Sequence, residues 1–122
     1  MARNSLGIYG EVLAELYLKA QGYRILDKNF KNKIGEIDLI AKEGDMICFV
    51  EVKTRVSLAC GLPVEAITRH KQLKIVQMAW SYLKYKFGTV DKKARFDVVS
   101  IYKDNGGKEQ IELIKNAFDA PY

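Results

Sequence analysis

The stretch GEIDLIAKEGDMICFVEVKTR, residues 35–55, constrains this chain more than any other. Two largely apolar runs flank Gly44-Asp45. Glycine at the first central position of a two-residue loop permits a type II′ turn, which suits the twist of paired antiparallel strands. That loop sets a register in which Glu43 faces Met46, Ala41 faces Cys48 and Leu39 faces Val50. Carried further, Asp38 faces Glu51 and Glu36 faces Lys53. Opposed side chains share a face, so these four residues are expected together at one end of an apolar hairpin.

Two carboxylates set against each other are unfavourable. At about 5 Å and an effective dielectric near 20, their repulsion is on the order of 3 kcal/mol. A proton or a cation relieves it. A hard divalent ion suits two carboxylate oxygens and keeps its other positions for water and phosphate, the manner in which Mg²⁺ binds. Lys53 beside such an ion would orient a water nucleophile or stabilise charge developing on a phosphate. Asp38, Glu51 and Lys53 thus form a candidate metal-dependent hydrolytic site. The bland alternative makes Glu36 and Lys53 a cross-strand ion pair and leaves Asp38 and Glu51 in water at the sheet edge, each with its own basic neighbour.

The rest of the chain reads around this hairpin. Tyr9, Val12, Leu13, Leu16 and Ala20 recur as a helical stripe between Leu6 and Gln21, and Gly22 fits the stop. Residues 24–30, RILDKNF, read as a first strand, and the basic loop KNKIG leads to the hairpin. GLPV, residues 61–64, punctuates the chain before a long helix from about Thr68, a plausible N-cap, to Phe87. Leu73, Val76, Trp80, Leu83 and Phe87 are expected along one of its faces. Residues 95–102 and 109–115 read as strands joined at Asn105-Gly106, a strong hairpin signal, and NAFDAPY carries no assignment. The order is α-β-β-β-α-β-β. Helices on both faces of a mixed sheet would explain why the middle strands are apolar on both sides.

The length of 122 residues suits a single domain, 1–122. No apolar run reaches the roughly 18 residues that span a membrane, and MARNSLGIYGE offers no apolar core of a signal peptide, so a cytoplasmic protein is expected. Cys48 and Cys60 make no CxxC pair; Cys48, in MICFV, suits a small core position. Twenty basic against 15 acidic residues leave a net charge of +5, compatible with a polyanionic partner. No GxxxxGK[ST] or GxGxxG occurs, and His70, the sole histidine, has no nucleophile elbow beside it, so nucleotide-cofactor and triad chemistry find no support.

GEIDLI…FVEVKTR resembles the PD-(D/E)xK nuclease motif, an Asp followed after a spacer by Glu-x-Lys: Asp38, Glu51 and Lys53. The whole chain is similar to the YraN family, bacterial proteins with a restriction-endonuclease-like fold related to archaeal Holliday-junction resolvases. The likeness runs from about Gly7 to the last strand. It takes in Gly10-Glu11, Gly22-Tyr23, Asn29-Phe30, the hairpin and RFDVV at 95–99. It implies that Asp38 and Glu51 bind Mg²⁺ or Mn²⁺, that the backbone carbonyl of Val52 joins them, and that Lys53 assists the water. It further implies that Glu11, in the place of the first-helix glutamate of the resolvases, completes the site. The helical wheel alone leaves Glu11 and Glu15 equal, each on a solvated face.

Lys31, Lys33, Arg55, Arg69, Lys71 and Lys74 flank the candidate site and are candidate phosphate contacts; Lys28, Lys92 and Lys93 are weaker ones. Tyr82 and Tyr85 could stack on bases, but packing is the safer assignment beside Trp80. Asp97 is expected to pair with Arg95 or to hydrogen-bond near the site, not to act in catalysis. The reading is a Mg²⁺-dependent DNA endonuclease, with branched DNA as the substrate suggested by the resolvases and a homodimer suited to two symmetric cuts. Its rivals are a non-catalytic nucleic-acid-binding module and a protein-interaction adaptor on the same fold.

Overall fold

A computed structural model describes residues 5–55 and 67–119, with side chains from Gly7 onward. GLPV and Cys60 lie outside the described residues. The elements run α1 (Ser5–Ala20), β1 (Arg24–Lys31), β2 (Glu36–Glu43), β3 (Met46–Thr54), α2 (Arg69–Phe87), β4 (Ala94–Lys103) and β5 (Glu109–Phe118). The five strands form one sheet in the order β1-β2-β3-β4-β5. Among the described residues only β3 and β4 pair in parallel, through the α2 crossover, and the other pairs are antiparallel. The expected α/β order and mixed sheet are therefore present. Among the described residues no helix is long and apolar enough to cross a membrane.

Among the described residues each face of the sheet carries one helix. Phe49, Ile47 and Ile40 pack with Ile75, Val76, Met78, Ala79, Tyr82 and Leu83 of α2. Cys48, Val50, Leu39 and Ala41 pack with Ala14 and Leu18 of α1. Residues 47–50 of β3 are consequently all buried, which accounts for the uninterrupted apolar run of a strand covered on both sides. Cys48 is a core residue, as expected, and burial pushes its thiol up to about 12, far from reactive thiolate.

The apolar stripe expected on α1 is not the face that docks. Tyr9, Val12 and Leu16 are about half exposed, while Gly10, Ala14 and Leu18 are buried. The reason is close approach: a β-carbon at Gly10 would collide with Thr54 Oγ1. The helix lies on the sheet through Gly10, Ala14 and Leu18, which turns Tyr9, Val12 and Leu16 outward. On α2, Val76 and Leu83 are buried as expected, but Leu73 is 38% and Trp80 43% exposed; Tyr82 takes the central place. Its hydroxyl donates to Asp27 Oδ2 at 2.8 Å, so it is unavailable to stack on bases, whereas Tyr85 is exposed beside Phe30.

Two turns were anticipated and one of them differs. At Gly44 φ is +60°, and Asp45 is not left-handed, the type II′ sign pattern. The DNGG turn is instead a three-residue loop closed by the Asp104 N–H to the Lys108 carbonyl at 2.9 Å, with Gly107, not Asn105-Gly106, supplying the left-handed residue. The last strand continues to Phe118, past the expected end at residue 115, because the register shifts between Phe96 and Val98 and Asn116 takes φ +53°. That irregularity aims the Asn116 N–H at Asp97 Oδ1, 2.9 Å away.

Candidate metal centre at the open end of the hairpin

The β2–β3 ladder follows the expected register from Glu43–Met46 to Leu39–Val50 and then stops. The backbone pairs Asp38–Glu51 and Glu36–Lys53 do not form. Ile37 and Ile40 both pack on the α2 side while Leu39 packs on the α1 side, so strict alternation is broken around Asp38. Across from Asp38 on β1, Asn29 lies between the pairs Lys28–Leu39 and Phe30–Ile37 and adopts φ +52°. The β1–β2 register is the same on either side of it. β2 and β3 part where the acidic residues sit.

What the ladder no longer joins, side chains do. Asp38 Oδ2 accepts the Val52 backbone N–H at 2.9 Å. A carboxyl–carboxylate hydrogen bond links Asp38 with Glu51. Glu51 is 8% exposed on the central strand β3, so the bland picture of two carboxylates in water at an edge does not describe it. Lys71 Nζ of α2 lies 2.7 Å from Glu51 Oε2, and Lys53 Nζ lies 3.9 Å from the same oxygen. The two ammonium groups thus converge on one carboxylate oxygen. Ser100, the parallel-register partner of Lys53 on β4, is fully buried nearby.

The protonation of this cluster follows from its setting. Burial, reinforced by the Glu51 carboxylate, pushes Asp38 up to about 8. Burial also pushes Glu51 upward, but its hydrogen bonds to Asp38 and Lys71 outweigh that and hold it below its ordinary range. Burial and then Lys71 depress Lys53. Lys71, despite burial, is raised chiefly by its bond to Glu51. Burial and the neighbouring carboxylate thus favour a proton on Asp38, while Lys71 favours the anion on Glu51.

Glu11 belongs to α1, which packs on the other side of the sheet, and its Oε1 accepts Asn29 Nδ2 at 3.0 Å. It is thereby tied to the residue across from Asp38. Among the described residues no three His, Cys, Asp or Glu side chains gather as a metal-binding group. Two adjacent carboxylates of hard oxygen donors still fit Mg²⁺, which holds to one or two carboxylates and retains water. Glu15 is held by Lys19 and Lys28. Glu36 faces Lys31 across the β1–β2 ladder, their charged groups 3.9 Å apart.

The basic candidates are distributed unevenly. Lys71 and Lys74 line a shallow groove with Gly35, Glu36, Ile75 and Met78. Arg69 and His70 are exposed at the start of α2, Lys33 is exposed in the β1–β2 loop, and Arg55 follows β3, half-buried, with its N–H on the Ile101 carbonyl. Lys93 pairs with Asp45, and Lys92 lies over the Phe87 ring. Asp97 resolves to the Arg95 alternative: it is 1% exposed, receives Arg95 Nε at 3.0 Å, and Arg95 Nη2 also donates to Tyr23 and Glu43. Sequence reasoning missed that Lys71 engages Glu51 and that Asn29 engages Glu11. Both contacts join elements remote in the chain, and neither has a local signal.

Residues 10–101 match the model of the uncharacterised protein family UPF0102, a span that contains every residue of the cluster. The chain is 46% identical over 118 residues to a UPF0102 protein of Geotalea uraniireducens, covering 97% of this chain and 92% of the relative. It is likewise 46% identical over 119 residues to one from Rhodococcus jostii, covering 97% and 100%. A third UPF0102 protein, from Caldanaerobacter subterraneus, is 46% identical over 118 residues, covering 95% and 96%.

Proposed function

This chain belongs to the uncharacterised protein family UPF0102, for which YraN is the name used above, and we propose that it is a metal-dependent nuclease of the restriction-endonuclease-like, PD-(D/E)xK class. The observation that carries the reading is the Asp38–Glu51 pair, partly withdrawn from water at the point where β2 and β3 part, with Lys53 Nζ 3.9 Å from Glu51 Oε2. A buried carboxyl pair is costly unless it is used, and structural roles are served as well by apolar residues. A binding module gains nothing from two acidic groups facing phosphate.

In this reading Asp38 and Glu51 hold Mg²⁺ or Mn²⁺, joined by the Val52 carbonyl. The ion supplies Lewis-acid polarisation of the phosphoryl group and acidifies water. Lys53, depressed by burial, orients the water that attacks phosphorus and balances charge as the P–O bond to the leaving strand breaks. Glu11, steadied by Asn29, positions a water or completes the ligand set. Lys31, Lys33, Arg55, Arg69 and Lys74 carry the DNA backbone. Branched DNA is the substrate class that the resolvase likeness favours, acted on in the cytoplasm, with a homodimer suited to paired cuts.

Mg²⁺ and Mn²⁺ are titrated into wild type and an Asp38→Asn, Glu51→Gln double variant, followed by calorimetry and thermal shift. The same samples are tested on junction, flap, single-stranded and duplex DNA. Binding and cleavage that both vanish in the variant establish the nuclease. A protein that binds no divalent ion, with or without DNA, and cuts nothing sinks the reading and leaves a basic binding module or an adaptor.

A further inference from the structure

Lys71 stands where nothing about its own helix would put a cation. It lies in the first turn of α2, whose start is fixed by the Lys71 N–H on Thr68 Oγ1 at 3.2 Å. Helix starts favour anions, and this first turn holds no acidic residue. The compensation is across the sheet: Lys71 Nζ sits 2.7 Å from Glu51 Oε2. That oxygen is also the one approached by Lys53, at the longer distance of 3.9 Å. Asp38 meanwhile spends Oδ2 on the Val52 N–H. One oxygen of each carboxyl is thus engaged, and of the two lysines on Glu51 Oε2 the nearer is Lys71.

We infer that Lys71 is an internal counter-ion seated in place of the divalent cation: it neutralises Glu51 while no metal is present and must leave Glu51 for the metal to bind. The inference rests on the nuclease reading and adds a gate to that same site. A divalent ion at about 2.1 Å from Glu51 Oε2 and an ammonium at hydrogen-bond distance from the same oxygen repel each other. Of the two lysines, Lys71 is the one free to go. Its side chain is 43% exposed, against 21% for Lys53, and it borders the groove of Gly35, Glu36 and Lys74. A four-carbon stem can swing into that groove without moving the backbone. There it lies alongside Lys74, among the groups assigned to the DNA phosphates, so DNA and metal would draw the gate open together.

The test is calorimetric titration of Mn²⁺ into wild type, Lys71→Met and Lys84→Met, without DNA. Lys84 lies on the exposed side of the far end of α2, so its loss removes the same charge without touching the pair. Removing a charge-assisted competitor should tighten Mn²⁺ binding in Lys71→Met by about ten- to a hundredfold, leaving Lys84→Met like wild type. A wild type too weak to measure beside a Lys71→Met that binds is the limiting form of the same result. Unchanged or weaker binding in Lys71→Met, or an equal gain in Lys84→Met, overturns the gate and leaves the nuclease reading standing. No binding by any of the three proteins overturns the gate, and the nuclease reading falls with it only if the DNA-containing samples also bind no ion and show no cleavage.

Discussion

The Val52 N–H donates to Asp38 Oδ2 at 2.9 Å, just beyond Leu39–Val50, the last pair of the β2–β3 ladder. Asp38 therefore stands in for the backbone carbonyl that the parting strands have withdrawn, and it does so with the carboxyl that also meets Glu51. Asp38→Ala should destabilise the fold by about 1–3 kcal/mol, because a partly buried N–H loses its acceptor. Asp38→Asn keeps an amide oxygen for Val52 and offers an N–H to Glu51, so it should unfold in urea close to wild type while losing divalent-ion binding. An alanine variant as stable as the asparagine variant would show that the bond to Val52 contributes nothing.

The raised Asp38 also dictates a pH dependence. Unfolded, an aspartate titrates near about 3.9; folded, burial and the Glu51 carboxylate raise it to about 8. Between these values the folded chain holds a proton that the unfolded chain has released. The contribution of Asp38 is then fully present below the lower value and is lost as pH rises through the upper one. Asp38→Asn removes this slope, so melting curves from pH 4 to 9 should show the variant gaining steadily on wild type. Divalent-ion affinity of wild type should rise over the same window, since binding expels the proton. Parallel stability curves would mean that Asp38 is ionised throughout.

The hairpin could be read in advance because both its determinants are local. A two-residue turn and a period-two pattern specify the pairing from Glu43–Met46 to Leu39–Val50 without help from the rest of the chain. The departure at Asp38 was not legible, since neither the turn nor the alternation of β2 marks where the ladder ends. The stripe on α1 misled for a related reason. Periodicity reports which side chains are apolar, not which face a neighbour will approach, and Thr54 admits only the face that carries Gly10. Lys71 showed as a basic residue near the site, but its seat on Glu51 depends on where α2 begins relative to β3.

Asn29 offers a way to separate the fold from the chemistry. Its left-handed backbone costs about 1–2 kcal/mol for most side chains, less for asparagine, and nothing for glycine. Asn29→Gly should thus keep the stability of wild type while releasing Glu11 from its 3.0 Å hydrogen bond. Cleavage should drop, by about the amount seen for Glu11→Gln, and combining the two changes should add little. Asn29→Ala should lose stability as well as activity. Full cleavage by Asn29→Gly would remove Glu11, or its restraint, from the mechanism.

Gly10 and Thr54 form the seam that sets α1, and Glu11 with it, against the end of β3 that carries Glu51 and Lys53. A methyl group at Gly10 meets Thr54 Oγ1 in collision, with Thr54 Cβ at 3.3 Å and Cγ2 at 3.6 Å. Alanine gains about 1 kcal/mol of helix propensity over glycine, but overpacking of this kind costs about 1–3 kcal/mol, so Gly10→Ala should be net destabilising. In a Thr54→Ala background the oxygen and Cγ2 are gone and the nearest remaining atom, Cβ at 3.3 Å, has to yield by only a few tenths of an ångström. There Gly10→Ala should be neutral or stabilising, giving a double-mutant cycle with a coupling of about 1 kcal/mol or more, measurable by urea denaturation. Additive effects would mean that α1 has room to shift on the sheet. The close approach would then not be what holds Glu11 near the parted strands.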